Sequence, residues 1–141
     1  MRCDTMFAPT EVTNRYLQKH IPAEFRGLRY TKVTAGEERT IVKVAYSTYE
    51  AVNPDGEPIL RKNGMPVVRT TAYIAFSDGT YTTSHGDTVL SQLESETGPI
   101  GEQIGVIVFD ADCPVRITTI KVTYGRGVKA KQYDTWAFEP M

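Results

Sequence analysis

The sequence predicts a mainly β domain, and the order of its apolar patterns indicates the architecture. Alternating apolar and polar residues, which are typical of half-buried strands, occur at 39–50, 66–76 and 80–84. A helical apolar spacing follows at 87–96. Three further strand-like runs complete the chain, at 103–110, 115–124 and 128–138. A lone helix between the third and fourth strands is the layout of the OB barrel, so we expect an OB-like barrel of five or six strands.

The N-terminal region predicts an arm and an extra helix before the barrel. Residues 1–9 have no periodicity and are expected to form a flexible arm. Thr10 is a candidate N-cap, and apolar residues at helical spacing continue to His20 before Pro22 stops the helix. The segment that follows predicts either a short strand at 28–30 or an extended connection. We expect residues 10–141 to form one OB-like domain that includes this helix.

Turn and helix signals divide the predicted barrel. The loop 51–65 contains Asn53-Pro54-Asp55-Gly56 and Asn63-Gly64, and ordered loops of this length are usually functional. Ser77-Asp78-Gly79 predicts a tight turn between the second and third strands. The stretch 110–114 predicts another turn, and Gly125-Arg126-Gly127 predicts a hairpin before the last strand. The residues expected in the core are Val42, Val44, Tyr46, Val68, Ala72, Ile74, Phe76, Val89, Leu90, Leu93, Ile120, Val122 and Tyr124.

The composition is that of an ordinary globular protein, and the cysteines indicate the cellular compartment. The 141 residues suit a single domain with a real core, and the net charge is −1. Cys3 and Cys113 are the two cysteines, without metal-like spacing, and they predict free thiols in a reducing compartment. No apolar run has signal-peptide or membrane-spanning length. We expect a cytoplasmic protein, in the host cytoplasm if it is viral, with no membrane partner.

Charge is segregated along the chain. The stretch 77–112 has seven acidic residues and no Lys or Arg, whereas 113–133 has five basic residues and no acid. The stretch 58–76 adds three basic residues, again with no acid. Such segregation lets a nearly neutral protein present a positive groove. The alternative is that the acidic and basic stretches pair with each other.

Catalytic and metal-binding patterns are weak. His20 and His85 have no nucleophile and carboxylate at a recognisable spacing, and no phosphate-cradling glycine loop occurs. Asp110 and Asp112 form an acidic pair of the kind that is usually solvated in a turn. We therefore expect no enzyme activity, no cofactor and no metal.

The pattern of basic and aromatic residues favours binding of single-stranded nucleic acid. Such sites combine cations along the phosphates with aromatic rings that stack on bases. Strand alternation places Arg69 and Tyr73 outward on the second strand, and Lys131 and Tyr133 on one face of the last strand. The full candidate set is Arg61, Lys62, Arg69, Tyr73, Lys121, Arg126, Lys129, Lys131 and Tyr133.

The C-terminal stretch PVRITTIKVTYGRGVKAKQYDTW resembles the closing hairpin of small OB-fold proteins of bacteriophages, some of which bind single-stranded DNA. The preceding FSDGTYTTSHGDTVLSQLES is compatible with the same family, so the resemblance covers about residues 66–138. It implies a phage replication or recombination accessory that coats single strands. The chain lacks the glycine-rich linker and the acidic, phenylalanine-ended tail of cellular single-strand binders, so recruitment of repair enzymes through such a tail is not expected.

Two other roles stay open at the level of sequence. The first is a protein-interaction module, such as a phage inhibitor of a host enzyme, that uses the acidic stretch 77–112 as its active surface. The second is a structural virion component. For the single-strand-binding role we expect a homo-oligomer, because a single barrel covers only a few nucleotides.

Overall fold

A computed structural model of the chain describes residues 8–13, 21–101, 103–125 and 127–141. These residues form strands, one α-helix and two single 3₁₀ turns, at Ala23–Phe25 and Gly127–Lys129. The elements are β1 (Ala8–Thr13), β2 (Arg29–Tyr30), β3 (Glu38–Glu50), β4 (Val68–Phe76), β5 (Thr80–Ser84), α1 (Asp87–Thr97), β6 (Gly105–Tyr124) and β7 (Lys131–Pro140).

The strands form one mainly β sheet that curls into a half-barrel, which is compatible with an OB-like fold. Along the sheet the order is β1-β6-β3-β4-β5-β2, and β7 pairs with the distal part of β6. Every pairing is antiparallel except that of the two-residue β2 with β5. The predicted strands at 39–50, 66–76 and 80–84 and the helix at 87–96 are thus confirmed to within two residues at each end.

The main core fills the inside of the curl. Ile41, Ile74, Leu93, Val115 and Phe138 are at most 2% exposed and form one cluster, so β3, β4, α1, β6 and β7 all contribute to it. Burying side chains of this size supplies the main driving force for folding. The alternation in β3 and β4 predicted this core correctly for Val44, Tyr46 and Ala72. The prediction for Val42 is wrong, because the register shift between Ile41 and Lys43 puts Ile41 in this core and Val42 against the cluster on the opposite face.

A second apolar cluster lies on the opposite face of the sheet, and the sequence did not predict it. Phe25, from the segment before β2, is completely buried against Tyr73 and Tyr81, with ring centroids 5.8 and 5.9 Å apart. Val106 and Val108 of β6 belong to the same cluster. Central strands β3 and β4 are consequently buried on both faces.

The N-terminal part of the prediction is wrong where the structure describes it. Residues 8–13 form β1, which pairs antiparallel with β6, instead of the start of a helix at Thr10. Pro9 lacks an amide hydrogen, and the register shifts between Pro9 and Glu11, as is typical of proline at a strand edge or bulge. Positions 14–20 of the predicted helix and 1–7 of the predicted arm lie outside the described residues.

The predicted turn at 110–114 is also wrong. β6 continues through it as one strand of 20 residues, and Pro114 pairs with Thr40 of β3. The register shifts between Ile41 and Lys43, so a bulge absorbs the residues that resemble a turn and bends both strands.

Helix α1 packs across the open side of the half-barrel. Leu93 is fully buried in the main core. The preceding residue, Gln92, forms two hydrogen bonds with the backbone of β7. Its Nε2 donates to Phe138 O (2.7 Å), and its Oε1 accepts from Phe138 N (2.9 Å). The amide group thus pairs with β7 as a neighbouring strand would.

The distal parts of β6 and β7 form a two-stranded ribbon, here called the hairpin arm (residues 118–135). On its other side β6 pairs with β3 only as far as Arg116, opposite Glu38. Ile117 then bonds the segment before β3, since Gly36 N donates to Ile117 O and Ile117 N to Glu37 O (both 2.8 Å). At the tip, Gly125 has φ +88°, and an added Cβ would lie 3.1 Å from Lys129 O, so the reversal requires glycine.

Cys113 corrects the prediction of free thiols, because it is fully buried and disulfide-bonded. Cys3 lies outside the described residues. Disulfides are most common in oxidising compartments, so cysteine usage gives no support to the cytoplasmic prediction. No helix in the described part of the chain is long and apolar enough to cross a membrane.

Candidate nucleic-acid interface

The loop between β3 and β4 is ordered by two consecutive turns. Asn53 Oδ1 accepts from the amides of Asp55 and Glu57 (3.0 and 2.9 Å), and Asn63 Oδ1 accepts from Met65 N (3.0 Å). Backbone bonds then tie Ile59 to Ala51 and Val67, so the loop is a small folded finger. Its exposed residues include two cations, two acids and four large apolar side chains, namely Arg61, Lys62, Asp55, Glu57, Val52, Ile59, Leu60 and Met65.

Arg69 lies at the base of this loop and lines a groove of about 470 Å³ between the sheet and α1. Tyr49, directly across from Arg69 in register, also lines it. The groove contains His85 and two carboxylates, Asp87 and Glu94. Its charge is therefore mixed, and Arg69 is the element that suits a phosphate.

The hairpin arm carries the second group of predicted residues. Tyr133 lies opposite Val122, and Lys131 opposite the Tyr124 backbone, so Lys131 and Tyr133 share one face of the ribbon, as predicted. Lys121 lies opposite Asp134 on the other face, which is the face of Ile117 and the main core. The prediction that Ile120 and Val122 belong to the core is therefore wrong, because they lie on the face opposite Ile117 and are only partly buried. Lys129 is exposed in the turn at the tip.

The structure places the two groups at opposite ends of β3. Arg69 pairs with Tyr49 near the end of β3, whereas the hairpin arm leaves the sheet beyond Glu38 at its start. At about 3.3 Å per residue this separation is roughly 35 Å along the strand. The predicted cations that the structure describes thus fall into two groups, one at the loop and one at the arm.

Tyr73 does not belong to either group. It is 5% exposed and packs in the second cluster against Phe25 and Tyr81, and burial raises its pKa. It lies on the outer face of the sheet as predicted, but the prediction that it is available to a ligand is wrong, because alternation identifies the two faces of a strand and not whether another segment covers the outer one. Arg126 lies outside the described residues.

The ion pairs bear on whether acidic and basic stretches neutralise each other. Asp110 of the acidic stretch accepts from Lys43 Nζ (2.7 Å), and Asp78 accepts from Arg39 Nη1 (3.2 Å). The cations in both pairs come from β3, outside the predicted basic stretches. Within the described residues, no ion pair involves Lys62, Arg69, Lys121, Lys129 or Lys131.

Arg39 lines a smaller cavity of about 240 Å³, but its side chain is committed to structure. Its Nε donates to Glu37 (2.6 Å), its Nη1 to Asp78 and to Thr80 Oγ1 (2.9 Å), and its guanidinium lies 5.0 Å from the Phe76 ring centroid. The hydrogen bond from Arg39 lowers the pKa of Glu37, and the hydrogen bond from Thr80, with help from Arg39, lowers that of Asp78. This cluster links β3 to the turn before β5.

The Arg39 cluster makes the free energy of unfolding depend on pH. A carboxylate with a lowered pKa in the folded state stabilises the fold above its ordinary pKa and loses that contribution as the pH falls through the lowered value. We expect the free energy of unfolding to decline from about pH 5 downward, and Arg39→Gln to make that decline shallower. Urea unfolding between pH 7 and pH 3 measures it. Arg69→Gln is the matched control, and an unchanged pH dependence in Arg39→Gln would contradict the assignment.

Sequence reasoning missed one exposed group at the β2 edge of the sheet. Arg29 and Tyr30 form β2 and Lys32 follows them, and all three are exposed. The signal was present, because the seven residues RGLRYTK contain three cations, a tyrosine and no acid.

No family model, curated protein or solved structure matches this chain, so the likeness to bacteriophage proteins rests on the sequence pattern alone.

Proposed function

We propose that this chain is a non-enzymatic single-stranded DNA-binding protein that serves phage replication or recombination. One observation carries the proposal: four exposed lysines on the loop 51–67 and the hairpin arm make no ion pair within the described residues, namely Lys62, Lys121, Lys129 and Lys131. Unpaired exposed cations on ordered elements are what a phosphate backbone requires.

The topology supports the same proposal. In the proposed OB barrel the five strands are β3 to β7, and α1 lies between the third and fourth of them. The loops β3–β4 and β6–β7 then correspond to the two loops that contact ligand in such barrels. Arg61 and Lys62 lie on the first loop and Lys129 on the second. We accordingly propose that the cations of these two loops are the two ends of one binding path across the barrel.

Tyr133 supplies the aromatic component of the arm. Its side chain is 48% exposed and lies on the same face as Lys131. Stacking on one base is worth about 1–3 kcal/mol, which is enough for one ring to matter alongside two lysines. The arm would thus bind phosphate through Lys129 and Lys131 and a base through Tyr133.

Fluorescence anisotropy with a labelled oligo-dT of about thirty nucleotides tests the proposal. We expect binding at low salt, and about tenfold weaker binding for the double variant Lys129→Gln/Lys131→Gln. Lys43→Gln is the control, because it removes a positive charge that Asp110 already pairs. Absence of binding at micromolar protein and low salt would refute the proposal.

A protein-interaction role is the second candidate, and the finger favours it. Leu60 and Met65 are 58% and 59% exposed beside Arg61 and Lys62. Apolar side chains at the tip of an ordered loop are typical of protein contacts. Stable capture of one host protein that is abolished by Leu60→Ser/Met65→Ser, together with no oligonucleotide binding, would establish this role instead.

A further inference from the structure

Tyr30 and Tyr133 are the two large exposed aromatic residues in the described part of the chain. They are 51% and 48% exposed, whereas Tyr46, Tyr73 and Tyr81 are each at most 8% exposed. Tyr133 lies beside lysines on the hairpin arm. Tyr30 has the same chemical surroundings on a different element, since Arg29 precedes it and Lys32 follows two residues later.

The Tyr30 ring is held in place from one side. β2 pairs with β5 through Arg29 N to Gly79 O (3.1 Å) and Thr31 N to Tyr81 O (2.9 Å). The Tyr30 ring contacts the buried Tyr81 edge-on, with centroids 5.6 Å apart and planes at 74°. A ring fixed in this way loses little conformational entropy when a base stacks on it.

The charge around Tyr30 favours an anionic ligand. Arg29 and Lys32 are exposed and form no ion pair within the described residues. Residues 25–36 contain no acid. An aromatic ring flanked by unpaired cations is the arrangement that binds an unstacked base together with its phosphates.

Tyr30 lies at the end of the sheet from which the hairpin arm departs. β2 pairs with the first two residues of β5, next to the turn 77–79, and Ser77 N of that turn donates to Thr40 O near the start of β3. The chain then runs from Tyr30 to Gly36, which bonds Ile117 at the base of the arm. β2 and the arm therefore lie at the same end of the half-barrel, with β2 at the β5 edge of the sheet and the arm extending from β6.

We propose that Arg29, Tyr30 and Lys32 form a second base-stacking and phosphate-binding site for the strand held by the hairpin arm. This inference rests on the proposed single-stranded DNA-binding function. It assigns a nucleic-acid contact to the segment before β3, outside the five strands of the proposed OB barrel.

Three variants test the site by anisotropy with the same oligo-dT. Tyr30→Ala is expected to weaken binding about tenfold, and Tyr30→Phe to bind like wild type, because stacking needs the ring and not the hydroxyl. Arg29→Gln/Lys32→Gln is expected to weaken binding and to reduce its salt dependence, without touching a buried contact. Lys43→Gln again controls for net charge, and thermal unfolding of each variant controls for folding.

The outcomes separate this inference from the function on which it rests. If wild type fails to bind oligo-dT, both fall. If wild type binds, and both Tyr30→Ala and Arg29→Gln/Lys32→Gln bind equally well, the function stands and the second site is wrong. If Tyr30→Ala is too unstable to measure, the arginine–lysine double variant decides alone.

Discussion

Replacing Phe25 with alanine is expected to lower the free energy of unfolding by about 3–5 kcal/mol. Phe25 is completely buried between Tyr73 and Tyr81 and attaches the segment before β2 to the outer face of the sheet. Removing the ring would leave a cavity against two aromatic neighbours that are themselves fixed in β4 and β5. Because a domain of this kind is stable by only about 5–15 kcal/mol, the effect is large.

Urea unfolding followed by circular dichroism measures the loss. Ile21→Ala in the same segment is the matched control, since Ile21 is 40% exposed, and its cost is expected to stay below about 1 kcal/mol. An unfolding free energy within about 0.5 kcal/mol of wild type for Phe25→Ala would show that the second cluster does not support the fold.

Leu93→Ala is the second large effect, with an expected loss of about 2–5 kcal/mol. Leu93 is the fully buried contact by which α1 fills the open side of the half-barrel. The hydrogen bonds between Gln92 and Phe138 fix the position of the helix. The apolar contact of the helix with the core is made by its two buried side chains, Leu93 and Val89. Loss of Leu93 should therefore loosen both α1 and the end of β7.

Leu90→Ala is the control on the same helix, because Leu90 only partly packs against the core and its truncation should cost distinctly less. Hydrogen exchange adds a local readout, since protection should fall in α1 and around Phe138 in Leu93→Ala before it falls in β3. Equal losses for the two leucines would contradict the proposed role of α1 as the cover of the core.

The central part of the fold could be predicted because its signals are local. Ser77-Asp78-Gly79 lies between β4 and β5 as expected, and Gly79 has φ +83°. The alternation of β3 beyond its bulge and the helical spacing of Val89 and Leu93 also identified the correct inner faces. These features depend on turn chemistry and on periodicity within one element.

The errors arose where pairing between distant segments decides the structure. Residues 8–13 have a plausible helix start, but β6 pairs with them as a strand. The stretch 110–114 has turn composition, but a bulge opposite β3 carries the strand through it. In both cases tertiary contacts override local preference.

Contacts between distant segments also explain why the candidate site could be predicted only in part. Tyr73 alternates outward, yet Phe25 covers it from a segment with no readable periodicity. Tyr30 belongs to a strand of two residues, too short for alternation to mark it. Lys131 and Tyr133 were placed correctly on one face of the hairpin arm, because a glycine turn and a long strand define their positions locally.

The salt dependence of oligo-dT binding tests the central claim most directly. Each phosphate contact on a single strand contributes about −0.7 to the slope of log Kobs against log salt concentration. We predict a clearly negative slope for wild type, reduced in magnitude by about 1.4 in Lys129→Gln/Lys131→Gln and unchanged in Lys43→Gln. A wild-type affinity that does not change with salt, or no binding at all, would contradict the account.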